Sequence, residues 1–171
     1  MFIIQKITQR YDPEQDRIGL TTQDSKGQVL LLWLTQRLAN GLAGALAHWL
    51  DEDVKTAASG QSTFSLHAWE QSSAEAQLNT AERPVDPTAA QDHVLLNAVD
   101  LTRGPGGYTL VFKWGSTGAA RLMLNTTELR QWLGILRRQF DTAGWPKHAW
   151  PEWFAAGAEN TAPATASRLL H

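Results

Sequence analysis

The order of turn, strand and helix signals in residues 2–50 recurs 91 positions later, in residues 93–141. At this offset, without a gap, the two segments share six identical residues at corresponding turn, strand and helix positions. The six pairs are Ser25 and Ser116, Gly27 and Gly118, Leu31 and Leu122, Thr35 and Thr126, Leu38 and Leu129, and Leu42 and Leu133. Because the matches follow one consistent order, the sequence predicts a pseudo-repeat of two tandem β-β-β-α units.

The first unit, residues 1–52, carries the signals of three strands and a helix. The predicted strands are residues 2–11, 17–23 and 28–34. Gly27 closes the second hairpin, and the hydroxyl of Thr35 is placed to cap the helix that follows. The acidic run 51–53 is expected to lie beyond the helix end, because acidic side chains there oppose the helix dipole.

The second unit, residues 93–144, repeats this order with different side chains. Its predicted strands are residues 93–102, 108–114 and 119–124. In the middle strand, aromatic and aliphatic residues recur at every second position, which indicates one face turned to the core. Asn125 and Glu128 have the spacing of a capping box at the start of the helix.

The two units predict an α+β fold in which antiparallel sheet, as one sheet or two, carries two helices on its apolar face. The connector, residues 53–92, contains an alternating segment, and an additional edge strand is predicted at 62–70. Residues 145–171 form a tail rich in Trp and Pro, and its end is expected to be disordered.

Signatures of catalysis are missing from the sequence, so the protein is interpreted as non-enzymatic. The chain has no cysteine, which removes thiol catalysis, disulfides and Cys-ligated zinc. It contains no P-loop, HExxH, GxSxG or dinucleotide-binding motif, and no two histidines have metal-ligand spacing. We therefore expect no catalytic residues, no metal and no cofactor.

The amino-terminal residues lack the basic start and long apolar run of a signal peptide. No apolar run is long enough to span a bilayer. The expected location is the cytoplasm, with no membrane partner. The net charge of −2 argues against general attraction to nucleic acid.

The most unusual feature of the composition is eight tryptophans. Four of them lie on predicted strands or helices and are expected to fill the core. The tail contributes a second group, which either packs back on its own domain or binds another chain, since Trp is enriched at interface hot spots. The candidate partner-binding residues are Trp145, Trp150, Trp153 and Phe154.

Two resemblances add to this interpretation. The segments Tyr11-Asp12-Pro13, Asp16-Arg17-Ile18 and Trp33–Leu38 resemble a family of small proteobacterial proteins of unknown function, which implies no activity. The tandem sheet-then-helix plan resembles the PUR and Whirly families, whose repeats have four strands and which bind single-stranded nucleic acid. That resemblance implies a nucleic-acid-binding alternative. Its candidate residues are Tyr108, Phe112, Lys113, Trp114, Arg121, Arg130, Arg137 and Arg138.

The sequence as a whole favours a binding or assembly module that acts through protein–protein contacts. The expected partner is another protein or a second copy of the chain, with a homodimer as the expected oligomer. Single-stranded nucleic-acid binding is the alternative, in which the aromatic residues of the second unit stack on bases and its basic residues contact phosphates.

Overall fold

The structure, a computed structural model, describes residues 1–57 and 62–155. Within these ranges the chain forms two four-stranded sheets and three helices longer than ten residues. The strands are β1 (Phe2–Ile3), β2 (Lys6–Asp12), β3 (Arg17–Gln23), β4 (Val29–Leu34), β5 (Asp92–Leu95), β6 (Ala98–Gly104), β7 (Gly107–Trp114) and β8 (Gly118–Leu124). The helices are α1 (Gln36–Ala57), α2 (Thr63–Ala76) and α3 (Thr126–Ala143). The predicted α+β class is confirmed.

Both sheets are mixed, whereas the sequence predicted antiparallel pairing. One sheet has the order β1-β8-β7-β6 and the other the order β2-β3-β4-β5. The pairs β1·β8 and β4·β5 are parallel, and the other neighbours are antiparallel. Each sheet therefore combines three consecutive strands with a short parallel strand from the other half of the chain.

The predicted strands 2–11 and 93–102 are each divided in two, because the chain crosses from one sheet to the other within them. Ile4 donates its N–H to the Arg121 carbonyl at 2.9 Å, and Gln5 donates to the Gln23 carbonyl at 2.8 Å. At the second crossing, the N–H of Leu96 and that of Asn97 again donate to strands of different sheets. Each half thus has four strands, where the sequence predicted three.

The helices correct two sequence predictions. Residues 62–70, predicted as an edge strand, belong largely to α2, whose buried residues His67, Gln71 and Ala74 follow helical spacing. Residues 51–53, predicted to follow the first helix, lie within α1, which continues to Ala57. These acidic side chains have basic or hydrogen-bonding partners, which offset the opposition of the helix dipole.

The helix caps agree with the sequence. Thr35 Oγ1 accepts a hydrogen bond from the Leu38 N–H at 3.4 Å. Asn125 and Glu128 form the predicted capping box, and α3 ends at Gly144 in the left-handed conformation. One apolar core joins both sheets, α1, α3 and the tail, and it includes Leu42, Leu129 and Leu133. The predicted disorder at the end of the tail concerns residues 156–171, which lie outside the described residues.

Candidate protein-binding groove

A groove of about 540 Å³ runs along β1 and β2. The opposite wall is formed by residues 78–85, and residues of β8 and α3 complete it. Its apolar lining includes Ile3, Ile7, Leu122, Met123, Ile135 and Val85. A concave surface that combines apolar and polar side chains is a candidate binding site.

The edge of a sheet borders this groove. β2 is the terminal strand of its sheet. The N–H of Tyr11 donates to Gln139 Oε1 at 2.9 Å, so the backbone polar groups of Tyr11 face away from β3. Because these groups alternate in direction along an antiparallel strand, the N–H and C=O of Ile7 also face outward. Ile7 therefore brings an outward-facing donor and acceptor to the groove.

Two buried side chains of the lining keep a polar atom without a partner among the described residues. Gln9 is only 7% exposed, and its Nε2 donates to the Trp132 carbonyl at 2.9 Å. Gln9 Oε1 and the indole Nε1 of Trp132 have no partner. Buried polar groups normally have a hydrogen-bond partner. The Gln9 oxygen and the Trp132 indole nitrogen, both in residues that line the groove, are exceptions.

The wall opposite β2 is fastened by side chains of that strand. The N–H of Val85 donates to Thr8 Oγ1 at 2.9 Å. Lys6 and Glu82 form an ion pair at 2.7 Å with both side chains half exposed. A half-exposed pair stabilises by about 0–1 kcal/mol, so this end of the wall is held weakly.

Met123 supplies an exposed apolar side chain at the groove. It is 63% exposed, whereas Leu122 and Leu124 beside it are buried. Methionine has an unbranched, polarisable side chain that adapts to differently shaped partners. Sequence reasoning assigned no role to Ile7, Gln9 or Met123. The one sequence signal for this site was Met123, an apolar residue at a position of β8 where alternation with Leu122 and Leu124 predicts a polar, exposed side chain.

The candidate tail residues lie outside the groove, within the chain's own core. Trp145, Trp150, Trp153 and Phe154 are 6%, 8%, 5% and 1% exposed. Trp145 donates its indole N–H to Asp16 Oδ1 at 3.1 Å, and Trp153 donates to Asp51 Oδ1 at 3.0 Å. In this structure, packing on the own domain leaves these four residues little surface for another chain.

Two of the three aromatic candidates for nucleic-acid binding are buried. The Tyr108 and Phe112 rings are buried in the core, and Trp114 is partly buried. Burial and a hydrogen bond to Asp53 raise the pKa of Tyr108 to about 12. A base could stack on these two rings only if they left the core.

The basic candidates are similarly divided between buried and exposed positions. Arg130 is 2% exposed and pairs with Glu70. Lys113 pairs with Asp100. Arg121 and Arg137 each bury one guanidinium nitrogen, and Arg138 is exposed. Two of these five cations are therefore held in ion pairs with acidic side chains.

No protein-family model, curated protein or solved structure matches this chain. The resemblance to PUR and Whirly proteins therefore stays an expectation about architecture. In residues 1–57 and 62–155, no helix is long and apolar enough to cross a membrane. The same residues contain no group of three side chains able to hold a metal ion. The groove must accordingly be interpreted from its own chemistry.

Proposed function

We propose that this protein is a non-enzymatic binding module that receives an extended segment of a partner polypeptide in the groove beside β2. The observation that carries the proposal is the position of Ile7, which lies on the terminal strand of its sheet and lines the groove. The alternation of backbone groups along β2, counted from Tyr11, turns its N–H and C=O outward. An extended peptide satisfies such an edge by adding a strand to it.

Strand addition divides recognition between backbone and side chains. The incoming backbone exchanges hydrogen bonds with Ile7, each worth about 0.5–1.5 kcal/mol net. Alternate side chains of the peptide enter the apolar lining between Ile3 and Ile135, which supplies selectivity. Met123 adapts to the residue that covers it.

Peptides selected from a random display library on the immobilised protein test this proposal. Affinity is then measured by fluorescence anisotropy with Ile7→Pro and Ile7→Ala. Both variants lose the isoleucine side chain, but only proline removes the outward N–H, and it leaves the bonds to β3 in place. We expect Ile7→Pro to weaken binding at least tenfold more than Ile7→Ala does, with circular dichroism confirming that both remain folded.

Several results would contradict the proposal. Equal loss in the two variants would mean that the backbone edge is not used, and no loss in either would place the peptide elsewhere. Selection of no peptide would remove the proposed function.

A labelled single-stranded oligonucleotide in the same assay tests the alternative, and we expect no binding at physiological ionic strength. Tight, salt-sensitive binding that is lost in Trp114→Ala would favour nucleic acid.

A further inference from the structure

A buried polar cluster joins all three helices to the tail, away from the groove. His67 of α2 is 2% exposed. Its Nε2 lies 2.9 Å from Asp51 Oδ1 of α1, and its Nδ1 lies 3.4 Å from Arg130 Nη2 of α3. The Trp153 ring stacks on the imidazole, with centroids 4.3 Å apart and planes 12° from parallel.

Asp51 and Arg130 also contact Trp153 directly. Asp51 Oδ1 accepts a hydrogen bond from the indole Nε1 of Trp153 at 3.0 Å. The Arg130 guanidinium lies 5.5 Å from the Trp153 ring centroid, within the range of a cation–π interaction. The docked position of this end of the tail therefore depends on the state of His67, Asp51 and Arg130 together.

The contact with Arg130 favours a neutral His67 that carries its ring proton on Nε2. A guanidinium only donates hydrogen bonds, so Nδ1 must accept from Arg130, and the ring proton must be on Nε2, where it donates to Asp51. With a proton on Nδ1, an N–H donor of His67 would face an N–H donor of Arg130, and both side chains would be positively charged. Protonation of His67 would therefore break the hydrogen bond with Arg130, while the contact with Asp51 could remain.

The charged groups around His67 come from every helix of the cluster. Asp51 favours protonation, while Lys55 of the same helix and Arg130 oppose it. Glu70, which lies on α2 like His67, forms an ion pair with Arg130 and partly neutralises the guanidinium charge. The tail contributes the uncharged Trp153 ring. Burial, followed by Arg130, lowers the pKa of His67 below its ordinary value of 6.5.

We propose that His67 is a pH-sensitive latch: the neutral imidazole holds the tail around Trp153 against the three helices, and its protonation releases that part of the tail. The unfolded chain takes up this proton near the ordinary pKa of 6.5, whereas the docked chain takes it up only at lower pH. The docked state is accordingly at full stability above pH 6.5 and loses stability as the pH falls below it. Release exposes the Trp153 and Phe154 rings, which stack on each other in the docked state.

Fluorine NMR of the full chain labelled with 5-fluorotryptophan tests the latch between pH 8 and pH 4.5. The Trp153 signal is assigned by its absence in Trp153→Phe. We expect this signal to move to the position of exposed fluorotryptophan as the pH falls, while the Trp114 signal stays in place. His67→Gln cannot take up the proton but keeps one donor and one acceptor, so the change should be lost.

His48→Gln is the matched control, because His48 is exposed and its ion-pair partner among the described residues is Glu52 of its own helix. This variant should keep the transition of the wild-type protein. A transition that persists in His67→Gln, or a Trp153 signal that does not change, would overturn the latch. Should His67→Gln fail to fold, proton NMR of the wild-type imidazoles decides, and a His67 that titrates at or above pH 6.5 contradicts the proposal.

Discussion

Gly107 shows how one residue fixes the return of the chain between β6 and β7. Its φ is +118°, a conformation that side chains other than glycine rarely adopt. A Cβ at this position would also collide with the carbonyl oxygen of Leu124 on β8. The turn therefore needs glycine here for both its backbone conformation and its closeness to the neighbouring strand.

Substitution of this glycine gives a residue-scale prediction. Gly107→Ala should lower the free energy of unfolding by at least about 2 kcal/mol, because it adds backbone strain to a collision with rigid backbone. Gly106→Ala is the control, since its Cβ would meet nothing within 4 Å. Urea denaturation measures both. A change in Gly107→Ala no larger than in Gly106→Ala would show that the turn relaxes.

Local chemistry made some residues predictable and left others hidden. Thr35 and Asn125 were predicted as caps because capping depends on residues within four positions. His67 and Arg130 were not predicted as partners, because they are 63 positions apart and neither belongs to an apolar pattern. Only the fold brings such side chains together, so sequence spacing contains no signal for them.

At the scale of elements, the predicted edge strand at 62–70 and the undivided strands 2–11 and 93–102 were wrong for different reasons. α2 buries His67, Gln71 and Ala74. This stripe is largely polar, so the helical period was invisible to a search for apolar residues. The chain crosses from one sheet to the other at residues 4–5 and 96–97, which contain neither Gly nor Pro. The sequence therefore has no turn signal at these crossings. Strand β3 has the bounds that the sequence predicted.

The pseudo-repeat stays a prediction at this scale. We expect residues 2–50 to superpose on residues 93–141 with Gly27 over Gly118 and Thr35 over Thr126. β1 and β5 then occupy equivalent places, each parallel to the last strand of the other half. Superposition in an experimental structure decides this, and different strand orders in the two halves would contradict it.

The exchange of β1 and β5 predicts that neither half folds alone. Residues 1–61 lack the partner of β1, and residues 62–171 lack the partner of β5. Each fragment also loses about half of the shared core, and small domains have little stability to spare. We expect cooperative thermal unfolding, followed by circular dichroism, only for the mixture of both fragments. Cooperative unfolding of either fragment by itself would contradict the interdependence of the halves.

At the scale of the whole molecule, the tail covers apolar surface on the three helices. Trp145 and Trp150 each contact Phe140 of α3 edge-on, and Trp153 reaches α1 and α2. The segment thus closes the core over all three helices. The groove is lined by none of these residues. Core closure and the proposed partner binding consequently occupy different surfaces and can be tested separately.

Deletion of residues 145–171 tests the whole-molecule arrangement. The deletion should lower the free energy of unfolding by at least about 3 kcal/mol, because loss of even one buried Trp or Phe side chain typically costs that much. Light scattering should give the same oligomeric state before and after deletion, since the four aromatic rings are buried in their own chain. Peptides selected on the full-length protein should still bind, because β2 and the groove remain. A truncated protein that keeps its stability but changes from dimer to monomer would instead place the tail at an interface between copies.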